Sequence, residues 1–302
     1  MSDFPDHNKA ALLILNQGSR KGGDTCVRDA IAVLERSGLD LIRAEPTNRD
    51  ETEQVIDANR DRIDRVIVAG GDGTINSAAA AIYRNRLALA ILPLGTANDL
   101  ARTLGIPENL SIACTTIIEN HRHHVDLGVV NDCFFFNVAN IGLGTQITHE
   151  LTPDVKKYWG IFSYLKALIT AYSRTRQFRA TLIVDYHEYR IRSIQIAVGN
   201  GRYYGGGNVV DEEASIDNGM LFLYSLKPQT FWELFTLAPL LREGKQSQME
   251  RTFTTSGTRI EVRTSRPMQV HGDGEPLTRT PAVFEVIEGA LEVLVPKNRN
   301  AS

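Results

Sequence analysis

A short apolar strand that runs into a glycine-rich turn and then a helix is the feature that most constrains this chain. Residues 66–68 are Val-Ile-Val, and β-branched apolar runs are typical of buried strands. The turn Gly70-Gly71-Asp72-Gly73 follows, and a helix is predicted from Ile75 to Arg84. Glycine has no Cβ, so the N–H groups of such a turn can approach a phosphate closely, and the start of the helix adds positive potential. Thr74 could cap the helix or bind a phosphate oxygen.

The turn by itself leaves two interpretations open. Its spacing is neither that of a P-loop nor that of the Gly-x-Gly-x-x-Gly dinucleotide fingerprint. Asp72 is unusual beside a phosphate, because its carboxylate would repel the ligand unless magnesium screened it or it contacted ribose or water. Asp-Gly is also a common turn pair, so the turn chemistry alone favours an ordinary connection between strand and helix.

A second strand and glycine turn reverse that preference. Leu87–Pro93 is another apolar run, and Leu94–Ala101 (Leu-Gly-Thr-Ala-Asn-Asp-Leu-Ala) leads into a helix with Thr96 and Asn98 as candidate caps. Because one helix separates the two strands, they form a βαβ unit, and both turns lie at the carboxyl edge of a parallel sheet. Two such turns side by side predict a nucleotide site.

Together, the two motifs resemble the catalytic domain of the diacylglycerol kinase and sphingosine kinase superfamily, and most closely the bacterial YegS-like lipid kinases. The resemblance extends from Leu12 to Pro296. It implies an α/β N-terminal domain with a Rossmann-like parallel sheet, as in NAD kinase and phosphofructokinase, and a β-sandwich C-terminal domain with the active cleft between them. It also implies ATP as phosphate donor, Mg²⁺ as its ion and a lipid hydroxyl as acceptor.

The resemblance carries a set of ATP contacts onto this sequence. In the family, a threonine at the end of the second strand touches ATP, and Thr47 matches it, although Thr47 could instead cap a helix over Asp50–Arg60. Gln17, after the first strand Ala10–Leu15, departs from the asparagine–proline pair of many members. The expected ATP-binding residues are Thr47, Gly71, Asp72, Gly73, Thr74, Ile75, Asn76, Ser77, Gly95, Thr96 and Asn98.

The catalytic and metal residues expected from the resemblance lie later in the chain. Asp273 in His271-Gly272-Asp273-Gly274-Glu275 matches the family's catalytic aspartate, with Glu275 supporting it or holding magnesium. Without the resemblance, this segment is an ordinary Asp-Gly hairpin turn. A second magnesium position in some bacterial members corresponds to Ser215, Asn218 and Met220. Here Asn218 replaces an aspartate, so the site could be weakened, moved onto Asp217 or absent, because an amide oxygen brings no charge.

The pattern of the chain changes near residue 124, which predicts domains at 1–124 and 125–302, with a C-terminal tail that could return to the first. Short strands with turn signals indicate an antiparallel β-rich domain. The predicted strands are 126–130, 133–138, 180–186, 189–199, 220–225, 259–264, 268–271, 282–286 and 291–295. The run His121-Arg122-His123-His124 invites a metal interpretation, but it lacks the spaced ligands of a structural zinc site and is predicted to be a solvent-facing loop.

Several segments of the second domain suit contact with a lipid, each with a structural alternative. Val155–Phe178 predicts a basic amphipathic helix that could lie on an anionic bilayer or pack on the β-domain. The glycine-rich loop 199–207 resembles a family loop beside the lipid cleft, or is a long hairpin turn. Thr230–Leu241 predicts an apolar helix that packs in the core or contacts a membrane. Phe134-Phe135-Phe136 is expected mainly in the core.

Composition narrows the remaining function classes. The formal net charge is −3, which is not that of a nucleic-acid binder. Three cysteines without metal spacing predict a reducing cytoplasm, polar residues 1–9 predict no signal peptide, and no apolar run is long enough to span a bilayer. A lipid would therefore be met at the bilayer surface, and diacylglycerol, phosphatidylglycerol or a sphingoid base would each offer a hydroxyl. An NAD kinase-like or sugar kinase, or a non-catalytic lipid- or nucleotide-binding protein, is the alternative.

Overall fold

The chain divides into two compact units. The computed structural model describes residues 10–16, 24–143, 176–201, 203–204, 208–209, 214–227 and 252–298. Unit 1 comprises residues 1–125 together with 289–302, and unit 2 comprises residues 126–288. The helices of the described residues are too short or too polar to cross a membrane.

Unit 1 is built on a buried parallel sheet. Its strands are β1 (Ala10–Leu15), β2 (Leu41–Ala44), β3 (Ile63–Gly70) and β4 (Ala88–Pro93). Its helices are α1 (Asp24–Arg36), α2 (Arg49–Asn59), α3 (Asp72–Asn85), α4 (Asp99–Thr103) and α5 (Leu110–Glu119). The strand order is β2-β1-β3-β4, all pairs parallel. A sheet covered on both faces needs strands that are apolar throughout, which is why β1 and β4 show no alternation.

The parallel order places the two glycine turns next to each other. Gly70 at the end of β3 pairs with Pro93 at the end of β4. Helix α3 connects these strands and buries Ile75, Ala78 and Ile82. The last part of the chain also joins this sheet, since Val293 pairs in parallel with Leu89.

Unit 2 is a β-sandwich. Its first strand is β5 (Arg122–Val130) and its last is β18 (Ala282–Leu294). Residues 122–125 of β5 and residues 289–294 of β18 belong to unit 1. Between them lie β6 (Cys133–Phe135), β7 (Val138–Gly142), β8 (Phe178–Val184), β9 (His187–Ser193), β10 (Gln195–Gly199), β11 (Tyr203–Tyr204), β12 (Asn208–Val209), β13 (Leu221–Leu226), β14 (Thr252–Gly257), β15 (Arg259–Thr264), β16 (Gln269–Gly272) and β17 (Glu275–Arg279).

Two antiparallel layers enclose the core of unit 2. One has the strand order β14-β13-β10-β7-β16-β17, and the other contains β15-β8-β9. Alternate residues of each layer point inward, as Leu182 and Val262 do from one and Val198 and Val270 from the other. Phe135 and Phe136 are buried, so the core assignment of the phenylalanine run is confirmed for these two residues.

The predicted fold class is confirmed, with an α/β unit and a β-sandwich, although several element bounds were wrong. The predicted strand 189–199 is two strands, β9 and β10, which belong to different layers. The predicted strands 282–286 and 291–295 are one strand, β18, in which Gly289 at φ 56° accommodates an irregularity. Strands β14 and β17 were not predicted, because TFTTSG and EPLTR are too polar to show an apolar alternation.

Some predicted segments lie outside the described residues. They are Gln17, residues 155–175 of the predicted helix, the helix 230–241 and residues 202, 205–207 and 210–213 around the glycine-rich loop. The described end of the predicted helix 155–178 was wrong, because Phe178 begins strand β8.

Candidate functional site

The two glycine turns of unit 1 touch through their backbones. A Cβ placed on Gly95 would lie 2.6 Å from the Cα of Gly71, and one placed on Gly71 would lie 3.0 Å from the Cα of Gly95. A Cβ at 2.6 Å cannot be accommodated, so the contact requires glycine at position 95, whereas a Cβ at 3.0 Å on residue 71 would force the neighbouring turn to shift by a few tenths of an ångström. The N–H of Leu94 also donates to the carbonyl of Gly70 at 3.0 Å. The turns therefore form one continuous backbone surface at the carboxyl edge of the sheet.

Asp72 links the second turn to the first. Its two carboxylate oxygens accept the N–H of Asp99 at 3.1 Å and the N–H of Leu100 at 3.0 Å, which are the first N–H groups of α4. A carboxylate at a helix N-terminus satisfies otherwise unpaired donors and complements the helix dipole. The acidic residue that looked out of place beside a phosphate thus has a structural partner, and no magnesium ion or ribose is needed to account for it.

Of the candidate helix caps in this region, Asn98 is confirmed by position, whereas Thr74 and Thr96 are not caps. Helix α3 begins at Asp72, three residues earlier than predicted, and its N-cap is Gly71, without a side-chain cap. Thr74 lies inside the first turn and instead accepts a hydrogen bond from Asn16 at 2.7 Å. Asn98 is the N-cap of α4 by position, but it has φ 50° and its side-chain oxygen makes no capping bond, while its amide nitrogen donates to the carbonyl of Gly95 at 3.0 Å. Thr96 is exposed and caps no helix.

Two buried amides are left with unused hydrogen-bonding atoms beside these turns. Asn76 is 3% exposed, and neither its Oδ1 nor its Nδ2 has a hydrogen-bond partner among the described residues. Asn98 is also 3% exposed, and its Oδ1 likewise has no hydrogen-bond partner among the described residues. A buried polar atom without a partner costs free energy, so such atoms are expected to meet a ligand or water.

Of the other predicted ATP contacts, Ile75 is buried in the core and Gly73 is exposed at the start of α3. Ser77 donates to the carbonyl of Thr74 at 2.8 Å.

Thr47 lies after β2 and is exposed, but it is not the cap of the following helix. That cap is Asn48, whose side chain accepts the N–H of Glu51 at 2.9 Å. The N–H and hydroxyl of Thr47 both donate to the Glu51 carboxylate at 2.8 Å. The backbone bond from Thr47, and then its hydroxyl, lower the pKa of Glu51. Glu51 therefore fixes the Thr47 side chain at this strand end.

The segment that carries the predicted catalytic residues is a hairpin in unit 2. Strands β16 and β17 are joined by Asp273 and Gly274 at φ 50° and 93°, which is the backbone of a type I′ turn. The carboxylate of Asp273 accepts the N–H groups of Phe136 at 2.7 Å, Asn137 at 2.9 Å and Val138 at 3.2 Å. Asp273 therefore joins the hairpin to the neighbouring segment, while Glu275 at the start of β17 is exposed.

The segment expected to bind a second magnesium ion is closed by hydrogen bonds of its own. The side-chain oxygen of Asn218 accepts the N–H of Met220 at 3.1 Å. The hydroxyl of Ser215 donates to the carboxylate of Asp217. The buried carboxylate of Asp126 accepts the N–H of Gly219 at 2.7 Å. Among the described residues, no three acidic, histidine or cysteine side chains converge on a possible metal position. The magnesium position expected at Ser215, Asn218 and Met220, or at Asp217, stays a prediction.

The histidine-rich run before unit 2 is a strand, which corrects the predicted loop. Arg122 opens β5 and pairs with Asp64 at 2.8 Å and with Glu292 at 2.9 Å, and His124 lies 3.6 Å from Glu292. Burial opposes ionisation of Asp64, but its bonds to Arg65 and Arg122 outweigh burial and lower its pKa. These residues are therefore structural ion pairs of unit 1.

Sequence reasoning did not predict two sets of contacts at the glycine turns. Asn16 belongs to the loop after the first strand, which the family resemblance assigns to nucleotide contact, but its bond to Thr74 was not predicted. The N–H groups of Asp99 and Leu100 were also missed as partners of Asp72, because residues 27 and 28 positions away give no local signal.

Comparisons with known proteins match both units. A family model described as diacylglycerol kinase catalytic domain matches residues 10–130. A second model, described as YegS C-terminal NAD kinase beta sandwich-like domain, matches residues 138–295. A protein of Pseudomonas aeruginosa (strain UCBPP-PA14) named "Probable lipid kinase YegS-like" is 32% identical over 96% of this chain and 95% of its own length. One of Salmonella arizonae named "Probable lipid kinase YegS" is 32% identical over 98% of each chain.

Solved structures agree in fold. A diacylglycerol kinase from Bacillus anthracis str. Sterne has a TM-score of 0.75 at 24% identity, covering 96% of this chain and 97% of its own. Another chain from the same organism has a TM-score of 0.79 at 25% identity, covering 96% of this chain and 98% of its own.

Proposed function

This chain belongs to the YegS-like lipid kinase family, with its diacylglycerol kinase catalytic domain, and on that premise we propose that it transfers the γ-phosphate of ATP to a free hydroxyl of a membrane lipid. The observation that carries the proposal is the backbone contact between the two glycine turns. Gly95 leaves no room for a side chain and Gly71 leaves very little, and two helices begin beside them. The N–H groups at the start of α3 are suited to a phosphate, whereas the first N–H groups of α4 are held by Asp72.

Unit 1 binds the nucleotide in this proposal. The turns at Gly71 and Gly95 take the phosphates, and the unused amide atoms of Asn76 and Asn98 supply donors and acceptors close by. Asp72 holds the second turn in register and does not itself contact the phosphates. Thr47, Thr74 and Thr96 complete the expected set at the same sheet edge.

Unit 2 supplies the carboxylates that act on the lipid hydroxyl. The three N–H bonds of Asp273 fix its position and favour a positioning role, whereas the exposed carboxylate of Glu275 is favoured as the proton acceptor. A single carboxylate is enough to accept the proton of the attacking hydroxyl, since phosphoryl transfer depends mainly on positioning and charge stabilisation. Magnesium would screen the charge of the triphosphate, and no residue described here is assigned to it.

The activity is tested with purified protein, magnesium, radiolabelled ATP and separate vesicles that contain diacylglycerol, phosphatidylglycerol or a sphingoid base. We expect label in one lipid class and none in parallel reactions with NAD or hexoses. Label in NAD or a hexose, and in no lipid, would replace the proposal with a different kinase. No label anywhere, with ATP still bound, would favour a nucleotide-binding protein without catalysis.

The roles of the two carboxylates are separated by matched amide variants. Glu275→Gln should lower turnover by about 100-fold or more, as expected for loss of a general base, with an unchanged melting temperature. Asp273→Asn should lower both turnover and melting temperature, because its three N–H contacts are weakened. Full turnover in both variants would remove this hairpin from the mechanism, and full turnover in Glu275→Gln alone would transfer the proton-accepting role to Asp273.

A further inference from the structure

An arginine-lined groove lies on the outer face of the β15-β8-β9 layer of unit 2. Its volume is about 540 Å³, within the range of small-molecule sites. Its polar lining includes Arg179, Arg190, Arg192 and Arg263 together with Thr181 and Ser265. The three strands contain five arginines and two glutamates in a chain whose formal net charge is −3. The positive charge of the groove is thus concentrated locally.

The strand register forces two of these arginines against each other. Arg179 of β8 is directly opposite Arg192 of β9. Cross-strand neighbours have Cβ atoms about 5 Å apart, and like charges there are destabilising. Arg190 and Arg263 each have a glutamate partner, at 2.9 Å and 2.6 Å, but no ion pair of Arg179 or Arg192 is found with another residue in the described ranges. An anion bound between them would offset the repulsion.

The groove is separate from the hairpin of Asp273. Strand β15 ends at Thr264, next to the groove, and the chain then crosses to the other layer through residues 265–268. It reaches Asp273 only after the whole of β16. The residues that line the groove do not include Asp273 or Glu275, so the groove is a different site from the one proposed for phosphoryl transfer.

We propose that this groove binds a phosphate-bearing anion, with the guanidinium groups of Arg179 and Arg192 on its oxygens. Guanidinium groups present planar pairs of N–H donors that match phosphate oxygens, and hydroxyls such as those of Thr181 and Ser265 add neutral donors. The same phosphate chemistry is offered by a soluble phosphate ester and by the headgroup of an anionic phospholipid. The proposal does not depend on the kinase activity, because binding needs no ATP.

The test measures binding by the full-length protein in two arms, both without ATP. One arm titrates inorganic phosphate and pyrophosphate by calorimetry. The other measures co-flotation with phosphatidylcholine vesicles with and without phosphatidylglycerol. Binding in the first arm identifies a soluble ligand, and binding only to the phosphatidylglycerol vesicles identifies a headgroup.

Matched variants decide whether the groove is responsible. Arg192→Gln and, separately, Arg179→Gln should weaken binding by at least about tenfold, because each removes charge-assisted hydrogen bonds. Arg259→Gln is the control, since Arg259 is exposed on the same strand as Arg263 but pairs with Glu285 at 3.1 Å outside the groove. Melting temperatures establish that each variant is folded. Absence of binding in both arms, or an equal loss in the Arg259 control, overturns the proposal.

Discussion

Replacing Asp72 with alanine tests whether its carboxylate is a structural link between the two glycine turns. The substitution removes the acceptor of two N–H groups, those of Asp99 and Leu100. These residues are 7% and 1% exposed, so water replaces the acceptor poorly. Loss of a helix cap costs about 0.5–2 kcal/mol, and loss of a hydrogen bond to a charged group about 1.5–3 kcal/mol. Because one carboxylate serves both donors, we expect a loss of about 2–3 kcal/mol.

The loss should be concentrated in α4, so amide hydrogen exchange is the most direct assay. A destabilisation of 2 kcal/mol corresponds to roughly 30-fold faster exchange at residues 99–103 in the nucleotide-free protein, if they open locally. Asp72→Asn keeps one acceptor oxygen and should show about half of the free-energy loss. Asp61→Asn is the control, because the Asp61 side chain is 90% exposed.

The alternative role of Asp72 predicts a different pattern. If the carboxylate acts only towards a bound nucleotide or its ion, Asp72→Ala weakens ATP binding and leaves exchange at 99–103 unchanged. That result would refute the structural link. Faster exchange in Asp61→Asn as well would show that net charge, and not the cap, controls the stability of α4.

Three further substitutions or treatments test other parts of the structure. Gly95→Ala would place a methyl group 2.6 Å from the backbone of the first turn, and we expect a loss of about 1–3 kcal/mol in thermal denaturation together with weaker ATP binding; unchanged affinity would contradict the paired-turn site. Asp64→Asn should destabilise the protein by about 1–3 kcal/mol at neutral pH. Because the pKa of Asp64 is lowered in the folded state, the stability that this carboxylate contributes is present above its unfolded-state pKa and is lost as the pH falls through its folded-state pKa. The free energies of unfolding of Asp64→Asn and wild type should therefore converge in acid. A difference between them that does not change with pH would argue against the ion pairs. Burial raises the pKa of Cys114 to about 11, so a thiol reagent at neutral pH should label the exposed Cys26 and spare Cys114, and equal labelling would show that α5 opens readily.

The fold class could be predicted because two local patterns were strong. Apolar runs that end in glycine turns indicate a parallel sheet with its turns on one edge, and β3 and β4 form that sheet. Short strands with turn signals indicated the sandwich. Strand bounds were less accurate for polar strands such as β14 and β17, which are stabilised by pairing with neighbouring strands. They were also less accurate for residues 189–199, a single predicted strand that contributes to two layers as β9 and β10.

The roles of individual side chains were harder to predict, since they depend on partners far away in sequence. Asp273 bonds to residues about 135 positions earlier, and Asp126 to Gly219, 93 positions later. The opposition of Arg179 and Arg192 likewise follows from the register of β8 and β9 and not from either sequence alone.

The sequence by itself determined that this chain has a glycine turn at the end of each of two neighbouring strands, because glycine spacing and apolar periodicity act over a few residues. Only the tertiary structure decided which carboxylates are occupied by backbone N–H groups and which are exposed. That distinction depends on the packing of distant segments, since a hydrogen bond forms only where folding has brought a donor within about 3 Å of its acceptor.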